Sequence, residues 1–347
     1  MKVAFLSSTE GNKGPSNVHR ELVAHWPESD ILLLAAQNPK HLKIVDSVIK
    51  GLRADVVLSG DADWAELVAC RVLHAFGRPV VCFNHGYVPF ENDINGLGLS
   101  RRKTDAYQRY LEIADAVVAN SKHQMKFVAR MQPRLEDRLT FVNNAVDPFE
   151  QREHHASSDG TIHVAASGGT RPIKGNETVA KAVRILNERG LKATLTVYGR
   201  GYAENPELSK LLDLPYIGMK GQVPREQLLR DLQNVDVFVM NSVHESFGLS
   251  ALDAIEASCS LLISRNCGVA DVLTLEDDDV VEDCKDAVEV ADKIVGLLAH
   301  PNAERLYRAL DFDALSWKRT AQKLRDVIRE RCFARKNERQ QGERAHD

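Results

Sequence analysis

The sequence predicts an α/β protein of two doubly wound domains facing a cleft, and three observations carry that expectation. Apolar, β-branched runs bounded by turn residues alternate with helical patterns along the chain, as parallel sheets with crossover helices require. The alternation pauses once, at Pro148-Phe149-Glu150-Gln151-Arg152-Glu153-His154-His155-Ala156-Ser157-Ser158-Asp159-Gly160. That stretch is polar, aperiodic and ends in a turn-favouring Asp-Gly, so it reads as an interdomain linker. Finally, 347 residues at 44% apolar content suffice for two separate cores.

In chain order, the first strand is expected over Lys2–Ser8. The turn Thr9-Glu10-Gly11-Asn12-Lys13-Gly14-Pro15-Ser16-Asn17 then leads into a helical pattern from Val18 to Trp26, with Pro15 suited to a first helical turn. Further strand-like runs occupy Asp30–Ala36, Asp55–Ser59, Pro79–Asn84 and Ala116–Asn120. After the linker come Ile162–Ser167, a glycine turn and a helix beginning near Asn176, then Ala193–Tyr198, Tyr216–Met219, Val235–Met240 and Ser260–Ser264. Trp317, Ala321, Leu324, Ile328 and Cys332 recur at helical spacing, so a last helix should pack on a domain surface. The expected divisions are residues 1–150, 151–314, a helix over 315–334 and a basic, disordered tail over 335–347.

A formal net charge of −4 argues against polymeric nucleic acid as a partner. The charge is uneven: residues 317–347 hold ten Lys/Arg against five Asp/Glu. That excess suits a solvated helix with a disordered tail, or peripheral attraction to an anionic membrane face. The six cysteines show no CxxC pair, and no run approaches the ~18 apolar residues of a membrane span. Reduced thiols in a cytoplasmic protein are expected. His154-His155 lacks further ligands nearby, so no metal is assigned there.

Two glycine turns and one carboxylate segment carry the chemistry. The first turn, with Gly14, can offer backbone N–H groups to a phosphate. It lacks the G-x-G-x-x-G spacing, and the second strand ends in Ala35-Ala36-Gln37 without an acid for a ribose, which disfavours a nicotinamide cofactor. The second turn, Gly168-Gly169-Thr170-Arg171-Pro172-Ile173-Lys174-Gly175, brings two cations to a helix start, a diphosphate site. The segment from Asn241 to Glu256 runs from a buried strand through Glu245 into a helix carrying Asp253. On regular helix those carboxylates would stand about 12 Å apart, beyond the roughly 5–9.5 Å of a glycosidase pair. Two contacts to one long ligand fit better.

These segments resemble the retaining glycosyltransferases of family 4, which have the GT-B fold of two Rossmann-like domains, and the resemblance covers nearly the whole chain. The family's glycine turn, Arg…Lys-Gly segment and Glu-x7-Glu segment correspond in order to Gly14, to Arg171 with Lys174-Gly175, and to Glu245 with Asp253. Ala114-Asp115-Ala116-Val117-Val118-Ala119-Asn120-Ser121 and Asn144-Ala145-Val146-Asp147 resemble its Asn-Ser and Asn-Gly-Val-Asp segments. Departures are Asp253 and Asp271 for glutamates, Ala145 for a glycine, and a short Arg171-to-Lys174 spacing.

The resemblance implies a metal-independent transfer of a hexose from a UDP- or GDP-linked donor to a glycan or lipid-linked acceptor, in surface polysaccharide synthesis. Arg171 and Lys174 would hold the β-phosphate, Glu245 the sugar hydroxyls, Asp253 the ribose, and His85 would lie beside the donor sugar. Gly14, Gly169, Val223 and the turn Phe247-Gly248-Leu249 would complete the donor site, the base meeting backbone around Gly221-Gln222-Val223. Asn92 to Lys103, with its glycines and three cations, is the expected acceptor loop. No cofactor or metal is implied. A metal-dependent transferase would need an Asp-x-Asp, for which Asp61-Ala62-Asp63 and Asp277-Asp278-Asp279 are the candidates. A non-catalytic sugar-nucleotide or glycan-binding protein is the alternative from another class, and a hydride-transferring oxidoreductase the third.

Overall fold

A computed structural model describes residues 1–10, 14–36, 40–60, 63–155, 157–201 and 206–334. The chain divides into two compact units: residues 1–89, 99–147 and 312–347 form the first, and 90–98 with 148–311 form the second. Where the sequence suggested 1–150, 151–314 and a separate last helix, residues 90–98 go with the second unit and the last helix goes with the first. Gln37, residues 11–13 of the first turn, Asp61, Ala62, Ala156 and the tail 335–347 lie outside the described residues.

The first unit holds a parallel sheet of β1 (Lys2–Phe5), β2 (Ile31–Leu34), β3 (Val56–Ser59), β4 (Val80–Asn84), β5 (Ala116–Ala119) and β6 (Leu139–Phe141). Their spatial order is β2-β1-β3-β4-β5-β6. The second unit holds β7 (Ile162–Ser167), β8 (Ala193–Tyr198), β9 (Ile217–Gly221), β10 (Val237–Met240), β11 (Ser260–Ser264) and β12 (Val280–Val281), in the order β12-β11-β10-β7-β8-β9. Every pairing in both sheets is parallel. The central strands β3, β4, β5, β10 and β11 are buried at every residue, as strands with helices on both faces must be.

β6 and β12 are the two strands that the sequence pattern did not show. They span three residues and two, too few to register an alternation, and both lie at a sheet edge, where short strands limit unwanted pairing. The expected linker is an ordered strap on the second unit. Arg152 N–H donates to the Glu256 carbonyl at 2.8 Å, His155 N–H to that of Gln233 at 2.7 Å, and Tyr307 Oη to that of Phe149 at 3.1 Å. Its polar side chains join in: Gln151 Nε2 donates to the Ile255 carbonyl at 3.1 Å and Arg152 Nη2 to Glu226 Oε2 at 3.1 Å.

The helix Trp317–Arg329 buries Trp317, Ala321, Leu324 and Ile328, and Cys332 follows them into the interior. It also carries Arg325, whose Nε donates to Asp30 Oδ2 at 2.7 Å and whose Nη2 donates to Oδ1 at 3.2 Å. The Asp30 side chain is completely buried. Burial pushes its carboxyl up, but the hydrogen bonds and charge of Arg325 outweigh that and hold it below the usual carboxylate range. All six cysteines are buried, and no disulfide joins them. Among the described residues no helix is long and apolar enough to cross a membrane.

Replacing Asp30 by Asn should cost about 3–5 kcal/mol in urea unfolding, because it leaves a largely buried guanidinium uncompensated. The stabilisation from ionised Asp30 is present above the unfolded carboxyl value of about 3.9 and is lost as pH falls through the lower folded value. The Asn variant should therefore lose part of the wild-type acid unfolding slope.

Candidate functional site

In the second unit β7 lies between β8 and β10, so the connections leaving β7 and β10 run to opposite sides of the sheet. Ligands of open α/β sheets sit beyond the carboxyl ends of strands at such a switch point. The loop after β7 contains Arg171 and Lys174 and feeds the helix Asn176–Glu188; the loop after β10 contains Glu245 and feeds the helix Leu249–Glu256.

Backbone, not side chains, brings these loops together. Gly175 has φ 64°, and a Cβ there would stand 2.1 Å from the Asn241 carbonyl oxygen, so only glycine lets the first loop touch the end of β10. Val243 N–H donates to the Ile173 carbonyl at 2.8 Å, which ties the loops directly. Gly248, at φ 105°, starts the second helix with its Cβ position 2.6 Å from Met240 Sδ. Ser167 Oγ and Ser250 Oγ lie 3.0 Å apart, joining the end of β7 to that helix's first turn.

Lys174 Nζ donates to Glu245 Oε2, and each side chain is 15% exposed. Burial pushes the Glu245 carboxyl up, yet the Lys174 ammonium, with Arg171 and His244 adding to it, holds it below its usual range. Glu245 is therefore ionised at neutral pH. Its backbone is pinned from N–H to the Asn266 carbonyl at 3.0 Å and from C=O to the Gly268 N–H at 3.0 Å. Neither helix start carries a side-chain cap hydrogen bond. Arg171 and Lys174 precede the first of these N-termini and Glu245 the second, and Arg171 Nε lies on the Gly168 carbonyl at 3.3 Å; uncapped helix starts with cations in the loops before them suit an anion.

Asp253 is placed differently from Glu245. Its carboxylate accepts from Arg225 Nε at 2.8 Å, while Arg225 Nη2 also engages Glu256. Burial pushes the Asp253 carboxyl up, Arg225 opposes it and Glu256 adds to it, leaving the group above its usual value. Arg225 opens the helix that follows Val223 and Pro224, so the Asp253 carboxylate faces the segment expected to meet a base. Phe247 is 1% exposed, so that side chain belongs to the core and only its backbone remains for a ligand. Gly169 supports the first loop by accepting from Asn176 Nδ2 at 2.7 Å.

The expected acceptor loop is not one loop. Val88–Asn95 and Arg101–Ile113 are helices, and the three cations Arg101, Arg102 and Lys103 lie exposed in the first turn of the second. Asn95 is buried and its Oδ1 accepts from Ile173 N–H at 3.1 Å, so it braces the Arg171–Lys174 loop; no sequence pattern marked it. Phe90 packs edge-on against His244, ring centroids 5.9 Å apart.

In the first unit, Gly14 opens the helix Gly14–Ala24 with nothing within 4 Å of its Cβ position. His85 follows β4 and meets His19 of that helix, Nε2 to Nε2 at 3.0 Å. Beside them lies a network that sequence reasoning missed. Glu66 is fully buried and accepts from Ser59 Oγ at 2.6 Å, Ser7 Oγ at 3.0 Å and Lys43 Nζ at 3.0 Å. Asp63 receives Lys43 at 2.6 Å and caps the helix Trp64–Ala75 through Glu66 N–H at 2.9 Å. Asp279 is likewise occupied, by Asn302 at 2.6 Å and Arg305 at 2.6 Å. Asp63 and Asp279 thus serve the fold, and among the described residues no group of three or more ligand-type side chains could hold a metal.

Lys174→Ala should raise the Glu245 carboxyl above the ordinary range, since burial then acts with only Arg171 and His244 opposed; carbon-13 NMR titration of the Glu245 carboxyl reads this. Gly175→Ala should destabilise the protein by at least about 2 kcal/mol in urea, from left-handed strain and backbone collision together.

Comparison with known proteins places this geometry. Residues 100–324 match the model described as family 4 glycosyltransferase in conflict systems, and residues 3–149 match that of glycosyltransferase family 4. The D-inositol 3-phosphate glycosyltransferase of Pseudarthrobacter chlorophenolicus is 26% identical over 240 residues, covering 64% of this chain and 57% of that protein. The chain thus spans a little over half the length of that curated relative. Among solved structures, Anabaena HepE in complex with UDP and glucose superposes with TM-score 0.71 at 13% identity, over 95% of this chain and 100% of that one. Sucrose-phosphate synthase from Thermosynechococcus elongatus gives 0.67 at 16% identity, over 95% and 98%. At such identities these structures speak for the fold, which is GT-B. Because the first of the two models takes in well over half of the sequence, including both loops at the switch point, the chain belongs to the family 4 glycosyltransferases in conflict systems.

Proposed function

We propose that this protein transfers a hexose-type sugar from a nucleoside diphosphate sugar to a hydroxyl of a glycan or lipid-linked acceptor, with retention of anomeric configuration and without a metal. The observation that carries the reading is the Lys174–Glu245 pair, its two members in the loops that lead into two uncapped helix starts. Departure of a nucleoside diphosphate develops negative charge on the β-phosphate. Arg171, Lys174 and the helix ends supply fixed positive charge there, worth more in the transition state than in the ground state. Lys174 would be shared between that phosphate and Glu245, whose ionised carboxylate accepts from sugar hydroxyls. Asp253, already bound by Arg225, would meet the ribose through its remaining lone pairs.

For the donor, UDP has the support of HepE, solved in complex with UDP-glucose and with UDP and glucose, and GDP is the other candidate. For the setting, surface polysaccharide synthesis is one reading; the family description, which names conflict systems, favours a second setting outside it. Peripheral membrane contact through the basic C-terminal segment belongs to the first setting and remains part of that proposal.

A thermal-shift panel of UDP, GDP, UDP-glucose, GDP-mannose and NAD tests the reading on wild type and Lys174→Ala. A ligand at a hundred times its dissociation constant adds about 2.7 kcal/mol, a midpoint rise of several degrees. One responding nucleoside diphosphate sugar, its response lost in the variant, is the expected result. A response to NAD alone would overturn it.

A further inference from the structure

The helix Lys40–Arg53 of the first unit turns polar residues inward and apolar residues outward. Lys43 and Ser47 are buried, whereas Leu42, Val45 and Ile49, at spacings of three and four, form one exposed stripe. The edge strand β2 extends this apolar surface with Ile31 and Leu34, and Trp64, which follows Asp63 at the start of the neighbouring helix, adds a sixth side chain. All six are 41–56% exposed.

The helix cannot roll to bury the stripe. Lys43 Nζ donates to Asp63 at 2.6 Å and to Glu66 at 3.0 Å, and turning it outward would leave the Glu66 carboxylate buried without its cation. Gly51 lies so close to the helix Trp64–Ala75 that a Cβ there would stand 2.3 Å from the Leu73 side chain. Beside the stripe, Lys50 Nζ donates to the Leu34 carbonyl at 2.6 Å and Asp46 Oδ2 accepts from Ala36 N–H at 2.6 Å. Backbone groups at this end of the edge strand are therefore taken, so the face calls for apolar contact rather than an added strand.

Area and charge identify the occupant. Six half-exposed side chains of this size present roughly 400–600 Å² of apolar surface, at the upper end of what a monomer usually shows. One face of a standard homodimer, about 800 Å² at roughly 65% apolar content, needs about 500 Å². Anionic lipid is recognised by accumulated Lys and Arg, but Lys50 and Lys43 are already paired with Asp46 at 2.7 Å and Asp63 at 2.6 Å. Among the described residues exposed Arg53 has no ion-pair partner, and Asp46 Oδ1 accepts no hydrogen bond. Those two residues lie about two turns apart on one flank of the stripe, with Ile49 between them. Two copies of the helix packed antiparallel about Ile49 set each Asp46 against the Arg53 of the other copy, which is the self-complementarity a two-fold contact requires.

We propose that the helix Lys40–Arg53 and β2 form a homodimer interface, two-fold about Ile49. The apolar stripe supplies the contact and the Asp46–Arg53 pairs supply the register. No residue of the donor site takes part, so the contact is independent of the sugar-transfer reading.

Sedimentation equilibrium of the full chain tests it. The wild type should be a reversible dimer at micromolar concentration, and Val45→Glu and Ile49→Glu should each raise the dissociation constant about thirtyfold or more, as central interface losses do. Circular dichroism should stay that of the wild type, because both positions are exposed. Arg53→Glu, which sets like charges together, should weaken the dimer about two- to fivefold. Ile49→Cys should form a covalent dimer on mild oxidation, the six native cysteines being buried. A wild type still monomeric at roughly 100 µM, self-association unchanged in both glutamate variants, or a dimer in which Ile49→Cys does not cross-link would overturn the proposal. An Arg53→Glu dimer of unchanged affinity would overturn the register. A monomer that floats with vesicles of anionic phospholipid and loses that binding in Val45→Glu would assign the face to lipid and reject the dimer.

Discussion

A single backbone contact governs the chemistry of the second unit: the loop leaving β7 lies directly on the end of β10, with Val243 N–H bound to the Ile173 carbonyl and Gly175 against Asn241. Side chains could not hold two loops this close, because any Cβ at position 175 would occupy the place of a carbonyl oxygen. From this contact follow the meeting of Lys174 with Glu245 and the adjacency of two helix starts. The parallel register of β7 and β10 supplies the coarse placement, and the glycine supplies the last few ångströms.

The two units handle polarity in opposite ways at corresponding strand ends. The second concentrates charge: an ammonium, a guanidinium and a carboxylate, each incompletely buried. The first unit sets buried Lys43 between buried Glu66 and half-exposed Asp63, with the imidazoles of His19 and His85 nearby. Burial pulls the Lys43 ammonium down, but the two carboxylates outweigh it and the group is held above its usual value. A set of this kind ties β3 and two helices together through hydrogen-bonded charges.

The fold and the meeting of the two loops at the switch point were legible in the sequence because both depend on local signals. Continuous apolar runs mark the strands, and Gly, Arg, Lys and Glu stand at loop positions beyond them. What escaped notice depends on distant pairing. Asn95 acts through one bond to Ile173 across 78 residues, and Glu66 through Ser7 across 59. Such polar residues sit inside amphipathic helical patterns, where nothing local separates them from solvent-facing neighbours. Asp253 was legible as a carboxylate of the site, but its capture by Arg225, 28 residues earlier, was not. The strap at 148–160 misled in the same way: a polar composition is shared by free linkers and by segments bound through their backbone.

The return of the chain at Phe312 bears on how this protein is made. Asp30 and Arg325 are 295 residues apart, so the first unit to emerge from a ribosome is also the last to be completed. At synthesis speeds of about 5–20 residues per second, the Asp30 carboxylate waits roughly 15–60 seconds for its guanidinium. Meanwhile the second unit, which needs no residue beyond 311, can reach its final form. Maturation should therefore run out of sequence order, and a nascent chain stalled before the last helix would display an N-terminal half still open to chaperones.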